Sequence, residues 1–334
     1  MTVIHGGNVW QRPEPGACLD FSANLNPDGP PEWVVQAMAE GLARARYYPD
    51  PSCAAARRGM AAHLGVAEEC VLVTAGGIEA AAMAAKLPGA HVIAQPTFQE
   101  YGRLCGSHRD IGREALSEYR FSGGENLWVC NPNNPTGDAL SRGAMLKLLD
   151  RAEAAGARLI ADEAFIEYCP ERSVADRAAE RPALVVLGSL TKALAIPGIR
   201  LGYVAAHPDV ISTLSEGLPP WRLNCVADAV AAALPGHRGD FERIRRLNAA
   251  RREAFADDLR ALGVGVHPSD ANFLLCDFGR DMRPTIERLK ADDILLRPCG
   301  MFPGLSHAHV RLCVRTEAEN DRLVKALREA MSST

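Results

Sequence analysis

The stretch Gly188-Ser189-Leu190-Thr191-Lys192-Ala193-Leu194 directly follows an apolar run, Ala183 to Leu187, that reads as a buried β-strand. A lysine at 192 therefore stands just past the carboxyl end of that strand, the edge at which open α/β sheets bind ligands. There its amine is placed to form an imine with an aldehyde cofactor. Ser189 and Arg200 flank it at a spacing that lets a hydroxyl and a guanidinium converge on one phosphate, a geometry suited to the arginine fork.

Working outward, short apolar runs alternate with helix-length segments from about residue 69 to 206: Val71 to Val73, His91 to Ala94, Leu127 to Cys130, Arg158 to Ala161, Leu184 to Leu187 and Leu201 to Ala205. The alternation predicts βαβ units and a mainly parallel sheet covered on both faces, a three-layer α/β/α domain. Residues 240 to 262 read as a long helix. Strand-like segments follow at 263–267, 272–277, 294–297 and 310–314, interleaved with helices, which predicts a smaller α+β domain. Thr316 and Glu319 have capping-box spacing, and Leu323, Val324, Leu327 and Met331 continue as an apolar stripe. The expected division is an N-terminal arm and start of the small domain at 1–40, a large cofactor domain at 41–235 and a small domain at 236–334. At 334 residues the chain is long enough for such a split.

Composition excludes several classes. Hydrophobic residues make up 47% and charged residues 23%, the balance of an ordinary globular chain. With 37 Lys and Arg against 41 Asp and Glu, the net charge of −4 offers no footprint for nucleic acid. The basic run Arg243, Arg245, Arg246, Arg251 and Arg252 shares its stretch with Glu242, Glu253, Asp257 and Asp258, as a solvated helix face does. Ten cysteines contain no Cys-x-x-Cys pair, so no metal site is expected, and their apolar surroundings suit reduced thiols in the cytoplasm. No signal peptide opens the sequence and no run approaches a membrane span.

The Ser-x-x-Lys element with Pro197-Gly198-Ile199-Arg200-Leu201-Gly202 resembles the lysine signature of fold-type I aminotransferases, which implies pyridoxal 5′-phosphate (PLP) bound through Lys192. Other segments resemble the same family in the same order. Asp162, in Ala161-Asp162-Glu163-Ala164-Phe165, is implied to pair with the pyridine nitrogen. Phe165 stands where family members often carry a tyrosine bonded to the ring hydroxyl. Asn134, in Asn131-Pro132-Asn133-Asn134-Pro135-Thr136-Gly137, is implied to reach that hydroxyl. Gly76-Gly77-Ile78 opens a helix whose amides and dipole suit phosphate, with Ile78 where a hydroxyl residue is frequent. Phe98 corresponds to the aromatic that covers the ring. Tyr48 looks like the tyrosine that reaches the phosphate from a partner subunit, which implies a homodimer.

The two ends of the chain narrow the resemblance. His5-Gly6-Gly7-Asn8, Leu19 to Pro27, Arg297-Pro298-Cys299, Phe302-Pro303-Gly304-Leu305 and Arg311 to Thr316 look like the L-threonine-O-3-phosphate decarboxylase family of cobalamin biosynthesis. That implies decarboxylation of a small phosphorylated amino acid to (R)-1-aminopropan-2-ol O-phosphate. Arg311 and Arg315 are the candidates for its carboxylate, and His5, Asn26 and Arg297 for its phosphate, with the two ends exchangeable. Histidinol-phosphate aminotransferase is the alternative. It commonly has glycine where Arg315 stands, which makes that arginine the expected discriminator. A non-catalytic PLP- or amine-sensing domain is the third reading. Such regulators usually carry a DNA-binding module, for which the enzyme-like segments leave no room.

Overall fold

The computed structural model describes residues 6–332. In chain order its elements are β1 (Leu19–Asp20), α1 (Glu32–Ala43), α2 (Ala54–Leu64), β2 (Val71–Thr74), α3 (Gly77–Ala84), β3 (His91–Gln95), α4 (Glu100–Cys105), β4 (His108–Gly112) and β5 (Asn126–Cys130). They continue as α5 (Arg142–Ala154), β6 (Arg158–Asp162), β7 (Leu184–Ser189), β8 (Gly202–Ala206), α6 (Pro208–Ser215), α7 (Cys225–Ala233) and α8 (Arg238–Ala261). The remainder is β9 (Gly265–Val266), β10 (Phe273–Asp277), α9 (Arg283–Ala291), β11 (Ile294–Leu295), β12 (Arg297–Pro298), β13 (His309–Cys313) and α10 (Glu317–Ser332).

Seven strands form one sheet in the order β2-β8-β7-β6-β5-β3-β4. Strands β3 to β7 run parallel, and β8 lies antiparallel between β7 and β2. All six expected strands are present within a residue or two. The edge strand β4 was missed, because His108-Arg109-Asp110 is polar and exposed and carries no buried-strand pattern. Both faces of the sheet are covered. One is packed by Val71, Val73, Leu127, Leu159 and Val186 against Met60, Met145, Leu148 and Leu149. The other is packed by Ile93, Trp128, Ile160 and Val185 against Ala80, Ala84 and Ile211. A sheet buried on both sides explains why its strands read as continuous apolar runs rather than alternating ones.

The second core gathers Phe21, Phe255, Leu259, Leu274, Leu312, Leu323 and Leu327 around the sheet β12-β13-β10-β9. Helix α8 connects the two, with Phe241 and Ile244 in the large core and Phe255 and Leu259 in the small one. The N-terminal segment joins the small unit: β1 pairs with β11, and Arg12 donates to Asp293 at 2.7 Å. The expected single strand at 294–297 is two pieces. Ile294–Leu295 pairs with β1, while Arg297–Pro298 crosses to pair with β13, so the chain changes sheets at Leu296. At α10, Glu319 accepts from the Thr316 amide at 3.1 Å, as expected. The Thr316 hydroxyl also donates to that carboxylate, at 2.7 Å. Among the described residues no helix is long and apolar enough to cross a membrane.

Candidate active site

A cavity of ≈ 1130 Å³ opens at the carboxyl ends of β5, β6 and β7, between the large sheet and the small domain. Its walls bring together residues far apart in the chain: Gly77, Ile78, Phe98, Asn134, Asp162, Phe165, Ser189, Lys192, Arg200, Arg297 and Arg311. The parallel strands cause this convergence, because each one delivers the residue after its last hydrogen bond to the same edge.

Lys192 follows β7 on a turn whose carbonyl accepts from the Asn26 amide at 3.0 Å. Its amine is buried, and that burial, reinforced by the positive charges of Arg200 and Arg311, brings its pKa down to about 8. A larger share of this amine is neutral near pH 7 than in an exposed lysine, which readies it as a nucleophile. Asp162 ends β6 with Oδ1 accepting from the Ala164 amide at 2.9 Å and Oδ2 accepting from the Tyr101 hydroxyl at 2.5 Å. Burial pushes its pKa up, and the two donors and Lys192 oppose that shift.

The phosphate end is built from backbone and Arg200. Gly76 caps α3 at φ 83°, a conformation glycine adopts without strain, and a Cβ there would fall 2.3 Å from the Arg200 guanidinium. Arg200 itself sits at φ 61°, donating to the carbonyls of Pro197 at 3.0 Å and Ala75 at 3.4 Å. The Ser189 hydroxyl lies 2.8 Å from that of Thr191, and both line the cavity. An arginine with no acidic partner among the described residues, a hydroxyl pair and a glycine-opened helix are a fitting cradle for one phosphate. With Lys192 and Asp162 placed as they are, the residues fit PLP. Phe98 and Phe165 supply apolar walls, Phe165 packing edge-on against Phe273 at 5.0 Å.

The small domain contributes two more guanidinium groups. Arg297 and Arg311 are direct cross-strand partners in the β12-β13 ladder. Arg311 donates to the Asn134 carboxamide oxygen at 2.5 Å and to the Ser22 carbonyl at 2.7 Å. Burial lowers the Arg311 pKa to about 10 and lowers that of Arg297 as well. Arg297 lies over the Phe302 ring at 5.6 Å.

Two expected substrate residues lie elsewhere. Arg315 does not line the cavity: it donates to Glu319 at 2.7 Å and to the Asp20 carbonyl at 3.1 Å, because it sits past the end of β13, where the chain turns into α10. Asn26 is also outside it, its side chain closing a turn with Gly29 and Asp28. His5 lies outside the described residues. The adjoining Gly6, Gly7, Val9 and Trp10 do line the cavity, held by a Gly7 amide bond to the Ser22 hydroxyl at 2.9 Å. Tyr48 is away from this cavity, 83% exposed and 5.0 Å from the Trp221 ring.

Sequence reasoning missed Tyr101, Thr191 and Ser22. The i+3 spacing of Tyr101 from Phe98 was the available signal, since Phe98 lies just before α4 and its carbonyl accepts from the Tyr101 amide at 3.2 Å. Among the described residues no group of three or more His, Cys, Asp or Glu side chains is placed to hold a metal.

Residues 17–327 match the family described as aminotransferase class I and II. The threonine-phosphate decarboxylase of Salmonella typhimurium strain LT2 is 32% identical over 98% of this chain and 96% of its own length. The histidinol-phosphate aminotransferase of Moorella thermoacetica is 28% identical over 94% of this chain and 86% of its own. Among solved structures, the L-threonine-O-3-phosphate decarboxylase from Porphyromonas gingivalis superposes with a TM-score of 0.84 at 28% identity, covering 93% of this chain and 99% of that one.

Proposed function

The chain belongs to the aminotransferase class I and II family of PLP-dependent enzymes, and from that premise we propose that it decarboxylates L-threonine O-3-phosphate to (R)-1-aminopropan-2-ol O-phosphate. The product assigns it to cobalamin biosynthesis. The observation that carries this reading is the pairing of Arg297 with Arg311. Like charges directly opposite on a ladder repel. Among the described residues neither guanidinium meets a carboxylate within ion-pair distance, although both are buried. With Arg200 given to the cofactor phosphate and Arg103 paired with Glu100, Arg297 and Arg311 remain among the described cavity-lining arginines for a substrate with two anionic ends. A phosphorylated amino acid has them in its carboxylate and its phosphate.

PLP held by Lys192, Asp162 and the phosphate cradle would supply an electron sink for the pair left at the substrate α-carbon on loss of the carboxylate. The protein's part is positional. Arg311, tied to Asn134 and Ser22, fixes one anionic end, and Arg297 fixes the other. Together they would fix the orientation of the substrate and so which of its α-bonds is set to break. The Nζ of Lys192, buried in the cavity, would hold the cofactor in the resting site and would be placed to deliver a proton to the substrate α-carbon. Phe98, Phe165 and the Gly6–Trp10 segment keep water from the site. The exposed Tyr48 is assigned to the active site of a second copy, in a cytoplasmic homodimer.

A histidinol-phosphate aminotransferase is the second reading, favoured by the similarity to the Moorella enzyme. Incubation of the PLP-loaded protein with L-threonine O-3-phosphate, without any keto-acid, separates the two. Release of carbon dioxide and aminopropanol phosphate in equal amounts supports the decarboxylase. Absence of both, with amino transfer from glutamate to imidazole-acetol phosphate, assigns the aminotransferase instead.

A further inference from the structure

We propose that Tyr101 is a positioning residue whose hydroxyl fixes the orientation and ionisation of Asp162, and through it the protonation of the cofactor's pyridine nitrogen. The inference rests on the cofactor alone and holds whichever reaction the site performs. Tyr101 is 1% exposed and donates to Asp162 Oδ2 at 2.5 Å, while Ala164 donates to Oδ1 at 2.9 Å. With one donor on each oxygen, the carboxylate plane is set and the remaining lone pairs are left for the cofactor. The phenol ring cannot swing away. It lies edge-on to Phe98 at 5.5 Å and against Trp128 at 5.1 Å, whose indole donates to His91 at 3.0 Å.

The titratable groups that face Asp162 are Tyr101 from α4, Cys130 at the end of β5, Tyr203 from β8 and Lys192 after β7. Burial keeps the phenols and the thiol neutral. Tyr101 is therefore a permanent donor. Burial by itself favours a protonated Asp162, which has no negative charge to offer a pyridinium. The phenol opposes this, because a hydrogen bond to the ionised form stabilises that form.

Removal of the hydroxyl makes the carboxylate more basic, so the proton shared between Asp162 and the pyridine nitrogen moves toward Asp162. The ring loses positive charge. The nitrogen through which Lys192 holds the cofactor then keeps its own proton to higher pH, and the midpoint of the bound cofactor's absorption change rises.

The test is a pH titration of the absorption spectrum of the PLP-loaded enzyme and of its Tyr101→Phe variant, which keeps the ring and its packing. The expected result is a midpoint raised by about one pH unit, at wild-type cofactor content and melting temperature. An unchanged midpoint in the folded, loaded variant overturns the proposal. Should Tyr101→Phe not fold, 3-fluorotyrosine placed at position 101, a stronger donor of nearly the same size, must lower the midpoint. No shift there overturns it equally. Because no substrate is present, a protein inactive on L-threonine O-3-phosphate that still shows the shift fails the proposed reaction and supports the role of Tyr101.

Discussion

The Arg311 guanidinium donates to the Asn134 side-chain oxygen at 2.5 Å, across the seam between the small domain and the large sheet. Asn134 was expected to serve the cofactor and Arg311 the substrate, and this bond makes each the orienting partner of the other. Arg311→Ala leaves Asn134 without its donor and, on the proposed function, one anionic end of the substrate without its fork. Truncating one partner of a buried charged hydrogen bond costs roughly 2–5 kcal/mol. Steady-state kinetics should show kcat/KM lowered by a factor of at least roughly thirty. Arg311→Lys, which keeps the charge and loses the fork, should recover little of it.

Arg297 and Arg315 should separate cleanly. Arg315→Ala removes a half-buried pair with Glu319 and a bond to the Asp20 carbonyl, together on the order of 1–2 kcal/mol. Its melting temperature should fall by a few degrees while KM stays within about twofold. Arg297→Met relieves like-charge repulsion at Arg311, so thermal denaturation should show no loss of stability while KM rises sharply. The opposite outcome, with Arg315→Ala alone raising KM, would return Arg315 to the substrate.

Lys192 makes the stability of the cofactor-free chain depend on pH. Its pKa of about 8 lies below the ordinary 10.5, so at pH 7 the amine is charged in both states and the folded state bears the cost of burying it, about 3 kcal/mol. Between pH 8 and 10.5 the folded state loses this proton first and stability rises. Lys192→Met should be the more stable protein at pH 7, with the two denaturant midpoints converging as pH approaches 10.5.

Gly76→Ala tests the phosphate cradle. The added Cβ would stand 2.3 Å from Arg200 at a φ that alanine adopts only with strain. Retention of PLP on dialysis should fall at least about tenfold, the loss of roughly one charge-assisted hydrogen bond. The fold should persist, since the position caps a helix start beside the cavity-lining Gly77 and belongs to none of the apolar cores.

Much of the large domain was legible because a parallel sheet buried on both faces leaves continuous apolar runs, and because its ligands come from residues adjacent to strand ends. Lys192, Asp162, Asn134, Ser189 and Arg200 were singled out in that way, and all five line the cavity. Tyr101 was not, since a tyrosine near a strand end has no local mark that separates a hydrogen-bond donor from core packing. Arg315 and Asn26 lie outside the cavity for the converse reason: a polar residue beside a site in sequence is as easily spent on a turn or a helix start.

The sequence by itself determined the order of strands and helices, the lysine at the sheet's edge and the set of arginines available for anions, because each depends on local pattern and residue chemistry. Only the tertiary structure decided which arginines face the cavity. It placed Arg297 opposite Arg311, turned Arg315 toward Glu319 and joined Tyr101 to Asp162, since those outcomes depend on strand register and on contacts between residues distant in the chain.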